Sequence, residues 1–311
     1  MNTILKWVGS KSAIMPELVK HLPAGKRLVE PFAGSCAVMM NTDYPAYLVA
    51  DINPDLINLY RVIAENSDGF ISRADYLFGA ANSSVAYYDI REEFNESESL
   101  DRLWRAIIFL YLNRHGYRGA CRYNKNGGFN IPYGHYKNPY FPENEIRAFA
   151  EKAQRAEFIC ADFTETLARV ESGDVVYCDP PYHGTFSQYH KDGFNADQQC
   201  LLASRLTDIA EHYPVIVSNS DTPLIKKLYR SFDINLINAP RRIGVAPGHG
   251  KQASEIIAIS GGVKVCEGCG GTGGGLCPDC GPCAGYSVEA LEDDSDVLPG
   301  YWESEENPVP F

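Results

Sequence analysis

The run Asp174-Val-Val-Tyr-Cys178, followed directly by Asp179-Pro180-Pro181-Tyr182, decides the fold of this chain. The apolar run predicts a buried strand, and the prolines predict a rigid turn because each fixes φ and lacks a backbone donor. Ligands of open α/β sheets bind at the carboxyl ends of strands. There the Asp179 carboxylate, the Pro180 carbonyl and the Tyr182 ring can face one pocket, which suits a planar group with an amino function. A strand end with a purely structural turn is the alternative.

Further apolar runs alternate with helical stretches on both sides of this junction. Apolar residues at helical spacing cover residues 55–65, and another helix is expected to begin at residues 37–41. This alternation predicts an α/β fold with a doubly wound, mixed but mostly parallel, Rossmann-like sheet. The predicted strands are Arg27–Glu30, Tyr47–Ala50, Glu157–Ala161, Val175–Cys178, Val215–Ser218 and Ile256–Ile259.

The alternation stops between residues 66 and about 150, which hold a helical segment at 100–113 and then a loop rich in Gly, Asn, Arg and Tyr. This stretch predicts an inserted, mainly helical domain. The catalytic body then comprises residues 1–65 and 151–262. A Cys- and Gly-rich segment follows at 263–285, and residues 286–311 predict an acidic, disordered tail because like charges abound and little can be buried.

The net charge of −12 over 311 residues is unevenly distributed. Residues 265–311 hold ten acids and no Lys or Arg, so residues 1–264 keep 30 acids against 28 basic residues. A local basic face on this nearly neutral body remains compatible with a nucleic-acid partner. No apolar run is long enough to span a bilayer, and Met1–Lys11 lacks a signal peptide's apolar core, so we expect a cytoplasmic protein with no membrane partner.

A cofactor pocket is predicted at the first βα turn, Pro31-Phe-Ala-Gly-Ser35, which fits F-x-G better than a dinucleotide fingerprint. Asp51 ends the second strand, where Rossmann-like folds place an acid for ribose hydroxyls. A sulfonium cofactor needs no phosphate cradle, so the scarcity of glycine is no obstacle. Asp162 follows a later strand and either contacts the cofactor's base or caps the next helix.

Together these motifs resemble the Dam-type DNA adenine methyltransferases, with the cofactor motif first, then a target-recognition insert, then DPPY. The resemblance runs from about Asn2 to Gly261. It is carried by Lys6-Trp-Val-Gly-Ser-Lys11, Leu28-Val-Glu-Pro-Phe-Ala-Gly34, Ala50-Asp-Ile-Asn53, Phe109-Leu-Tyr-Leu-Asn-Arg114, Cys121-Arg-Tyr-Asn124, Pro139-Tyr-Phe-Pro142 and Val176-Tyr-Cys-Asp-Pro-Pro-Tyr182.

The resemblance implies S-adenosylmethionine as methyl donor and the amino group of adenine in double-stranded DNA, within GATC, as acceptor. Cys36 and Ser10 stand where the family usually has glycine. The implied catalytic residues are Asp179, Pro180, Pro181 and Tyr182, and the implied donor-binding residues are Trp7, Lys11, Phe32, Gly34, Asp51, Asp162 and Asp179.

The chemistry expected of these residues is alignment. An adenine amino nitrogen is a poor nucleophile because its lone pair is conjugated with the ring. The Asp179 carboxylate and the Pro180 carbonyl can each accept one amino hydrogen, which favours a pyramidal nitrogen aimed at the methyl group. Tyr182 would stack on the base, and a base inside a duplex must be flipped out to reach such a pocket.

DNA contacts are expected from Asn113–Asn126, which holds four basic residues and two tyrosines; a solvated basic loop is the alternative. Arginine reads guanine bidentately in the major groove, and aromatic side chains can fill an unstacked site. The resemblance implies that Arg122 reads one guanine and Lys6 the other. It further implies that Tyr117 inserts near the vacated position and that Asn130 and Pro132 lie at a thymine methyl. Lys137 is a candidate for a phosphate contact, and Tyr189, which follows DPPY, is a candidate for contact with the flipped base. Arg118 departs from the family, which has a small polar amide there; it could add a phosphate contact or alter how the gap left by the flipped adenine is filled.

The pattern Cys266-x2-Cys269-x7-Cys277-x2-Cys280 has zinc-site spacing. Tetrahedral structural zinc is the favoured interpretation, and a metal-free Gly/Cys linker is the alternative. Because this segment lies outside the resemblance and lacks nearby basic residues, we expect it to dock a protein rather than DNA.

Two other functions stay open from sequence. One is the same chemistry on RNA or on a protein amide, and the other is a catalytically silent DNA-binding regulator. The insert, with its basic segment Asn113–Asn126, and the intact Asp179-Pro180-Pro181-Tyr182 favour a DNA methyltransferase. We expect a monomer of bacterial or bacteriophage origin, with two copies on one duplex as the alternative.

Overall fold

The structure is a computed structural model that describes residues 2–97, 100–183, 194–240 and 252–260, together with short strands at 276–277 and 281–282. Within Met1–Val263, which form one compact unit, the described strands build one seven-stranded sheet in the order β3-β2-β1-β4-β5-β7-β6. The strands are β1 Arg27–Glu30, β2 Ala46–Asp51, β3 Ala156–Cys160, β4 Asp174–Cys178, β5 Val215–Ser220, β6 Asp233–Pro240 and β7 Gln252–Ile259.

The five strands from β3 to β5 pair in parallel, and β7 pairs antiparallel with both β5 and β6. All five residues of β4 are buried, as expected for a central strand covered on both faces. The predicted α/β fold with a mixed, mostly parallel sheet is therefore confirmed. Strand β6 was not predicted, because its sequence Asp-Ile-Asn-Leu-Ile-Asn-Ala-Pro is rich in residues that strands disfavour. It can hold them because it lies at the sheet edge.

Ten α-helices flank the described part of the sheet. They are α1 Met15–Leu18, α2 Ala37–Asn41, α3 Pro54–Glu65, α4 Ser67–Ala80, α5 Ser84–Glu96, α6 Arg102–His115, α7 Glu143–Ala153, α8 Phe163–Leu167, α9 Ala196–Ala210 and α10 Pro223–Leu228. Short 3-10 helices lie at Lys11–Ala13, Val19–His21 and Tyr117–Gly119. No helix among the described residues is both long and apolar enough to cross a membrane.

Helix α6 is the central element of residues 66–150. It begins at the N-cap Asp101, whose carboxylate accepts from the Trp104 N–H, and all residues from Ala106 to His115 are buried. Side chains of α6 share one apolar core with those of α3 and of strands β1 and β2. The segment thus packs on the sheet as part of the same compact unit, while its boundaries as a separate target-recognition domain stay a prediction.

The N-terminal segment, residues 2–11, ties α6 to the rest of the unit. The Lys6 N–H donates to Asn113 Oδ1 at 3.0 Å, and Asn113 Nδ2 donates back to the Lys6 carbonyl at 2.8 Å. Arg114 Nε donates to the Ile4 carbonyl at 2.9 Å. Two consecutive residues of α6 therefore hold this segment through its backbone, which fixes where its side chains lie.

Candidate active site

The site lies where β1 and β4 run side by side. They pair in parallel, with Val29 opposite Val176; β2 and β3 follow outward from β1 on one side, and β5 follows outward from β4 on the other. Such a reversal opens a crevice at the carboxyl ends of the two strands, because the connections that follow diverge to opposite sides. The Pro31–Ser35 turn leaves one strand and Asp179-Pro180-Pro181-Tyr182 leaves the other, so both predicted motifs meet at this crevice.

Asp179 is held through one carboxylate oxygen. Lys11, only 5% exposed, donates from Nζ to Asp179 Oδ2 at 2.6 Å and to the Gly9 carbonyl at 2.9 Å. The other oxygen, Oδ1, is buried and has no hydrogen-bond partner among the described residues. A buried acceptor without a partner costs free energy, so this oxygen is ready to accept from an incoming donor.

Burial raises the pKa of Asp179 to about 6, and the nearby Lys11 ammonium limits that rise. The charge of Glu255 adds to it. Burial likewise raises the pKa of Glu30, at the end of β1, to about 8, so this carboxyl is mainly neutral at pH 7. Glu30 is 2% exposed and its Oε1 also lacks a partner among the described residues. Glu30 was not predicted as a site residue, because an acid that ends a strand does not reveal its own burial.

Three predicted donor-binding residues meet at the first turn. Gly34 has φ +47°, and its N–H donates to Asp51 Oδ2 at 3.0 Å. A Cβ at Gly34 would lie 2.9 Å from Trp7 Nε1, so only glycine lets the indole come this close. Burial raises the pKa of Asp51, while N–H bonds from Asn53 and Gly34 oppose that rise. Trp7, Gly34 and Asp51 thus form one packed wall.

Cys36 also adopts a left-handed conformation, with φ 55° and a fully buried side chain. This is the position where the resembled family usually has glycine, and a side chain makes that conformation costly. Cys36 nevertheless serves as the residue before α2, so the turn keeps its path with a small side chain in place of glycine.

Phe32 and Asp162, the remaining predicted donor-binding residues, lie beside α8. The Phe32 ring stacks on Phe163 at a centroid distance of 5.7 Å and meets Phe194 edge-on at 5.6 Å. Asp162 Oδ1 accepts from the Thr164 N–H at 2.8 Å, so Asp162 caps α8. The capping role is the one that the structure describes, and contact with a cofactor's base stays a prediction.

Tyr182 is held at its hydroxyl, which donates to Glu255 Oε2 on β7 at 2.8 Å. The Lys11 ammonium lies 4.9 Å from the centroid of its ring. Glu255 was missed from sequence because no local motif marks it. It reaches the crevice only through the antiparallel register that sets it opposite Ser220.

Lys6, Tyr117 and Arg118, three predicted DNA-binding residues, gather around the Tyr117–Gly119 turn. The Lys6 ammonium lies 4.2 Å from the centroid of the Tyr136 ring, and a Cβ at Gly119 would overlap the Lys6 side chain. Arg118 has φ 56°, and its guanidinium lies 5.2 Å from the Tyr117 ring centroid. Tyr117 is 51% exposed, so the turn presents an aromatic ring and two cations on one surface.

Arg122 and Asn130 are paired through their side chains. Arg122 Nε donates to Asn130 Oδ1 at 2.8 Å, and the Asn130 N–H donates to the Arg122 carbonyl at 3.1 Å. Pro132 and Lys137 are exposed, and the Lys137 carbonyl accepts from Asn82 Nδ2 at 2.9 Å. Because Asn130 engages only Nε, the outer guanidinium nitrogens of Arg122 can present a fork to a base edge.

The remaining predicted residues fall mostly outside the described part of the chain. Tyr189, Cys266, Cys269 and Cys280 lie outside it, and Cys277 is described only as backbone of a short strand, Leu276–Cys277, paired with Gly281–Pro282. That pair belongs to a separate unit, Lys264–Phe311. Among the described residues, no group of three or more His, Cys, Asp or Glu could hold a metal ion.

The sheet and the crevice fit an enzyme that binds its ligand at the carboxyl ends of β1 and β4. Residues 7–243 match the family of D12 class N6 adenine-specific DNA methyltransferases, and the chain belongs to that family. It is 69% identical over 262 residues to the retron Ec67 DNA adenine methylase of Escherichia coli, and the aligned residues cover 84% of this chain and 92% of the relative. It is 44% identical over 265 residues to the DNA adenine methylase of E. coli K12 (83% and 95% covered), and 45% over 270 residues to that of Vibrio cholerae O1 (83% and 95% covered).

Membership in this family confirms the predicted enzyme class. It supports N6 methylation of adenine in double-stranded DNA over the alternatives of an RNA or protein methyltransferase and of a silent regulator. Residues 264–311, including the cysteine pattern, lie beyond the matched range, so the family says nothing of them.

Proposed function

We propose that this protein transfers a methyl group from S-adenosylmethionine to the N6 amino group of an adenine flipped out of double-stranded DNA, within GATC. The observation that carries the proposal is Asp179 Oδ1, a buried acceptor without a partner among the described residues, at the crevice between β1 and β4. An exocyclic amino group supplies the donor that this oxygen lacks.

The residues of the first turn fit the proposed methyl donor. Asp51 ends β2 and holds the Gly34 N–H through one oxygen, and the remaining lone pairs of its carboxylate can accept ribose hydroxyls. The close approach of Trp7 to Gly34 gives this wall an aromatic face. When bound, S-adenosylmethionine supplies a methyl group on a positive sulfonium, which the carboxylates around the crevice favour electrostatically.

Alignment of the target amino group falls to Asp179 and the Pro180 carbonyl. Lys11 engages Asp179 Oδ2, which leaves Oδ1 as the oxygen that can accept an amino hydrogen. Two fixed acceptors favour a pyramidal nitrogen whose lone pair points out of the base plane. Because their positions are set before the base arrives, the reorganisation that usually slows such a step is avoided.

Recognition of DNA is assigned to the surface around Tyr117 and Arg122. Tyr117 is exposed beside Lys6 and Arg118, which suits a ring that fills the place of the flipped base. Arg122, fixed by Asn130, is suited to one guanine, with Lys6 at the other and Pro132 at a thymine methyl. Lys137 and Arg118 are suited to phosphates.

The proposal is tested by transfer of labelled methyl groups from S-adenosylmethionine. The substrates are a duplex containing one GATC site, duplexes with each base of the site replaced in turn, structured RNA and a protein extract. Label confined to the adenine of GATC supports the proposal in full. Label at adenine in another DNA sequence would support the chemistry and reject GATC. Label on RNA or protein alone would reject DNA as the acceptor, and no label on any substrate would reject S-adenosylmethionine as the donor.

The pH dependence of kcat/KM should report Asp179. Because its pKa in the free enzyme is raised to about 6, the acceptor is a carboxylate above that pH and becomes a neutral acid below it. We therefore expect kcat/KM to fall about tenfold per pH unit below roughly pH 6. The measurement is initial rate at low substrate from pH 5 to 9, with circular dichroism as a control for folding. Lys11→Met removes the cation that limits the rise in the pKa of Asp179. It should therefore move the acid limb of the kcat/KM profile to higher pH. A profile flat down to pH 5 would contradict the assignment.

We also propose that Cys266, Cys269, Cys277 and Cys280 hold one structural zinc ion, on the strength of their spacing. The purified chain should contain about one zinc per molecule, and a variant ending at Gly262 should contain none. Metal analysis of both, with Cys266→Ser/Cys280→Ser as the matched control, checks this. Full methylation by the shortened variant would assign the segment an accessory role such as protein docking. We propose a monomer in the bacterial cytoplasm as the working form.

A further inference from the structure

Tyr182 is held by polar groups that come from three separate elements of the fold. The residues concerned are Gln199 on α9, Asn219 and Ser220 at the end of β5, and Glu255 on β7. They contact the backbone on both sides of Tyr182 and its hydroxyl. We call these four residues the tyrosine clamp.

The first arm of the tyrosine clamp holds the backbone. Gln199 Nε2 donates to the Pro181 carbonyl at 2.8 Å, and Gln199 Oε1 accepts from Asn219 Nδ2 at 3.0 Å. Asn219 Oδ1 accepts from the Ser220 N–H at 2.8 Å, and Ser220 Oγ donates to the His183 carbonyl at 2.9 Å. One chain of hydrogen bonds therefore fixes the carbonyl before Tyr182 and the carbonyl after it.

Burial shows that this arm is not incidental surface polarity. Gln199 and Asn219 are both fully buried, in an interior where apolar side chains would pack at no electrostatic cost. A buried amide must be satisfied by partners, and each of these two uses its carbonyl and its amino group on the other or on the backbone. The interior has thus kept a polar network whose far ends lie on either side of Tyr182.

The second arm holds the ring. The Tyr182 hydroxyl donates to Glu255 Oε2 at 2.8 Å, and Glu255 stands opposite Ser220 in the β5–β7 register. Both arms therefore start from adjacent positions of one strand pair. The Lys11 ammonium lies 4.9 Å from the ring centroid, so the residue that holds Asp179 also contacts this ring.

We propose that the tyrosine clamp positions the Tyr182 ring for stacking against the flipped adenine, and that Glu255 fixes the hydroxyl end of that ring. The inference rests on the proposed function of Tyr182 and adds four positioning residues to it. It follows from geometry: a ring held at its hydroxyl and at both flanking carbonyls has little freedom to shift, and a ring in a preset position places the amino group of a stacked base at Asp179.

Glu255 also affects the pKa of Asp179 through its charge. This effect can be separated experimentally from its hydrogen bond to Tyr182. Asp179 is faced by Lys11 from the N-terminal segment, by Glu30 at the end of β1, by Tyr177 and Tyr182 on its own side, and by Glu255 from β7. Of these, the charge of Glu255 raises the pKa of Asp179. A change that keeps the hydrogen bond but removes the charge should therefore move the pH profile without harming alignment.

A double-mutant cycle tests whether Glu255 acts through the tyrosine hydroxyl. Glu255→Ala and Tyr182→Phe should each lower kcat about 10- to 100-fold, because a misplaced ring misplaces the base. The double variant should be no worse than the poorer single variant, since both remove one contact. Losses that multiply in the double variant would overturn the proposal. Glu157→Ala, which removes an exposed glutamate on β3, is the matched control and should keep wild-type kcat.

The conservative variant Glu255→Gln is tested through the pH profile of activity. That profile would not change if Glu255 had only a structural role. Gln keeps an acceptor for the Tyr182 hydroxyl, so kcat at pH 8 should stay within about threefold of wild type. The acid limb of the pH profile should move to lower pH because the charge is gone. A Gln variant as poor as the Ala variant, or an unmoved limb, would overturn the proposal even if Glu255→Ala fails to fold.

Failure of the clamp can be told from failure of the proposed function. If Tyr182→Ala keeps full activity, Tyr182 does not stack on the base and the proposed site is itself wrong. If Tyr182→Ala is inactive while folded Glu255→Ala and Gln199→Ala match wild type, the site stands and the clamp is rejected. Melting temperatures of all variants show which of them are folded.

Discussion

Asp179→Ala should abolish methyl transfer, with kcat reduced at least about 10³-fold, while binding to a GATC duplex stays within a few-fold of wild type. The substitution removes the acceptor Oδ1 that we assign to one hydrogen of the target amino group. Among the described residues assigned to reading DNA, none has a hydrogen bond or ion pair with Asp179, so recognition should survive. Single-turnover methylation and DNA binding by fluorescence anisotropy measure the two effects separately.

Asp179→Asn is the control for this prediction. Alanine leaves the buried Lys11 ammonium without its carboxylate, which lowers stability as well as activity. Asparagine keeps the volume, and Lys11 would draw its amide oxygen, which turns the amide N–H groups towards the target. Two donors would then face each other, so Asp179→Asn should be nearly as inactive as Asp179→Ala. Loss of one contact of this kind typically lowers kcat by about 10²- to 10³-fold. An Asp179→Asn variant that keeps a tenth or more of wild-type kcat would therefore contradict this role.

Arg122→Ala should cost about 1–3 kcal/mol at one guanine of the site, a loss of roughly 5- to 150-fold in kcat/KM, and should relax specificity at that position only. The reason is the loss of a bidentate fork that Asn130 holds in place through Nε. The measurement compares kcat/KM on the GATC duplex with kcat/KM on duplexes in which one guanine is replaced.

Lys137→Ala is the matched control for Arg122→Ala. A phosphate contact carries no sequence information, so this change should weaken all duplexes alike and make binding less dependent on salt. Asn130→Ala should resemble a weaker Arg122→Ala, because the guanidinium remains but loses its support. Equal discrimination between native and substituted sites by wild type and Arg122→Ala would show that another residue reads this guanine.

The sheet was largely predictable because each of its central strands contains a run of consecutive apolar residues. Runs such as Val175–Cys178 predict buried strands wherever they occur, and the structure has each predicted strand to within a few residues. Strand β6 was not predictable, since its asparagines and terminal proline argue against a strand. Its pairing with β7 comes from the rest of the sheet, which local sequence does not describe.

The site was predictable where a motif is continuous in sequence. Asp179 to Tyr182 and Pro31 to Gly34 each follow one strand, so their meeting at the crevice followed from the order of the strands. Glu255 and Gln199 were missed because they reach Tyr182 from β7 and α9, through a register that is fixed only in three dimensions. Glu30 was missed because burial, which makes its carboxyl unusual, cannot be read from one acid at a strand end.

The N-terminal segment connects Lys6, which we assign to DNA recognition, with Lys11, which holds Asp179. Lys6 faces the surface assigned to the bases, Lys11 grips Asp179, and α6 anchors the backbone between Ile4 and Lys6. Because this segment is short, we expect a displacement of Lys6 to be passed along the backbone to Lys11. We therefore expect an incorrect DNA sequence to lower kcat more than it weakens DNA binding. The enzyme would then discriminate between DNA sequences mainly in the transfer step.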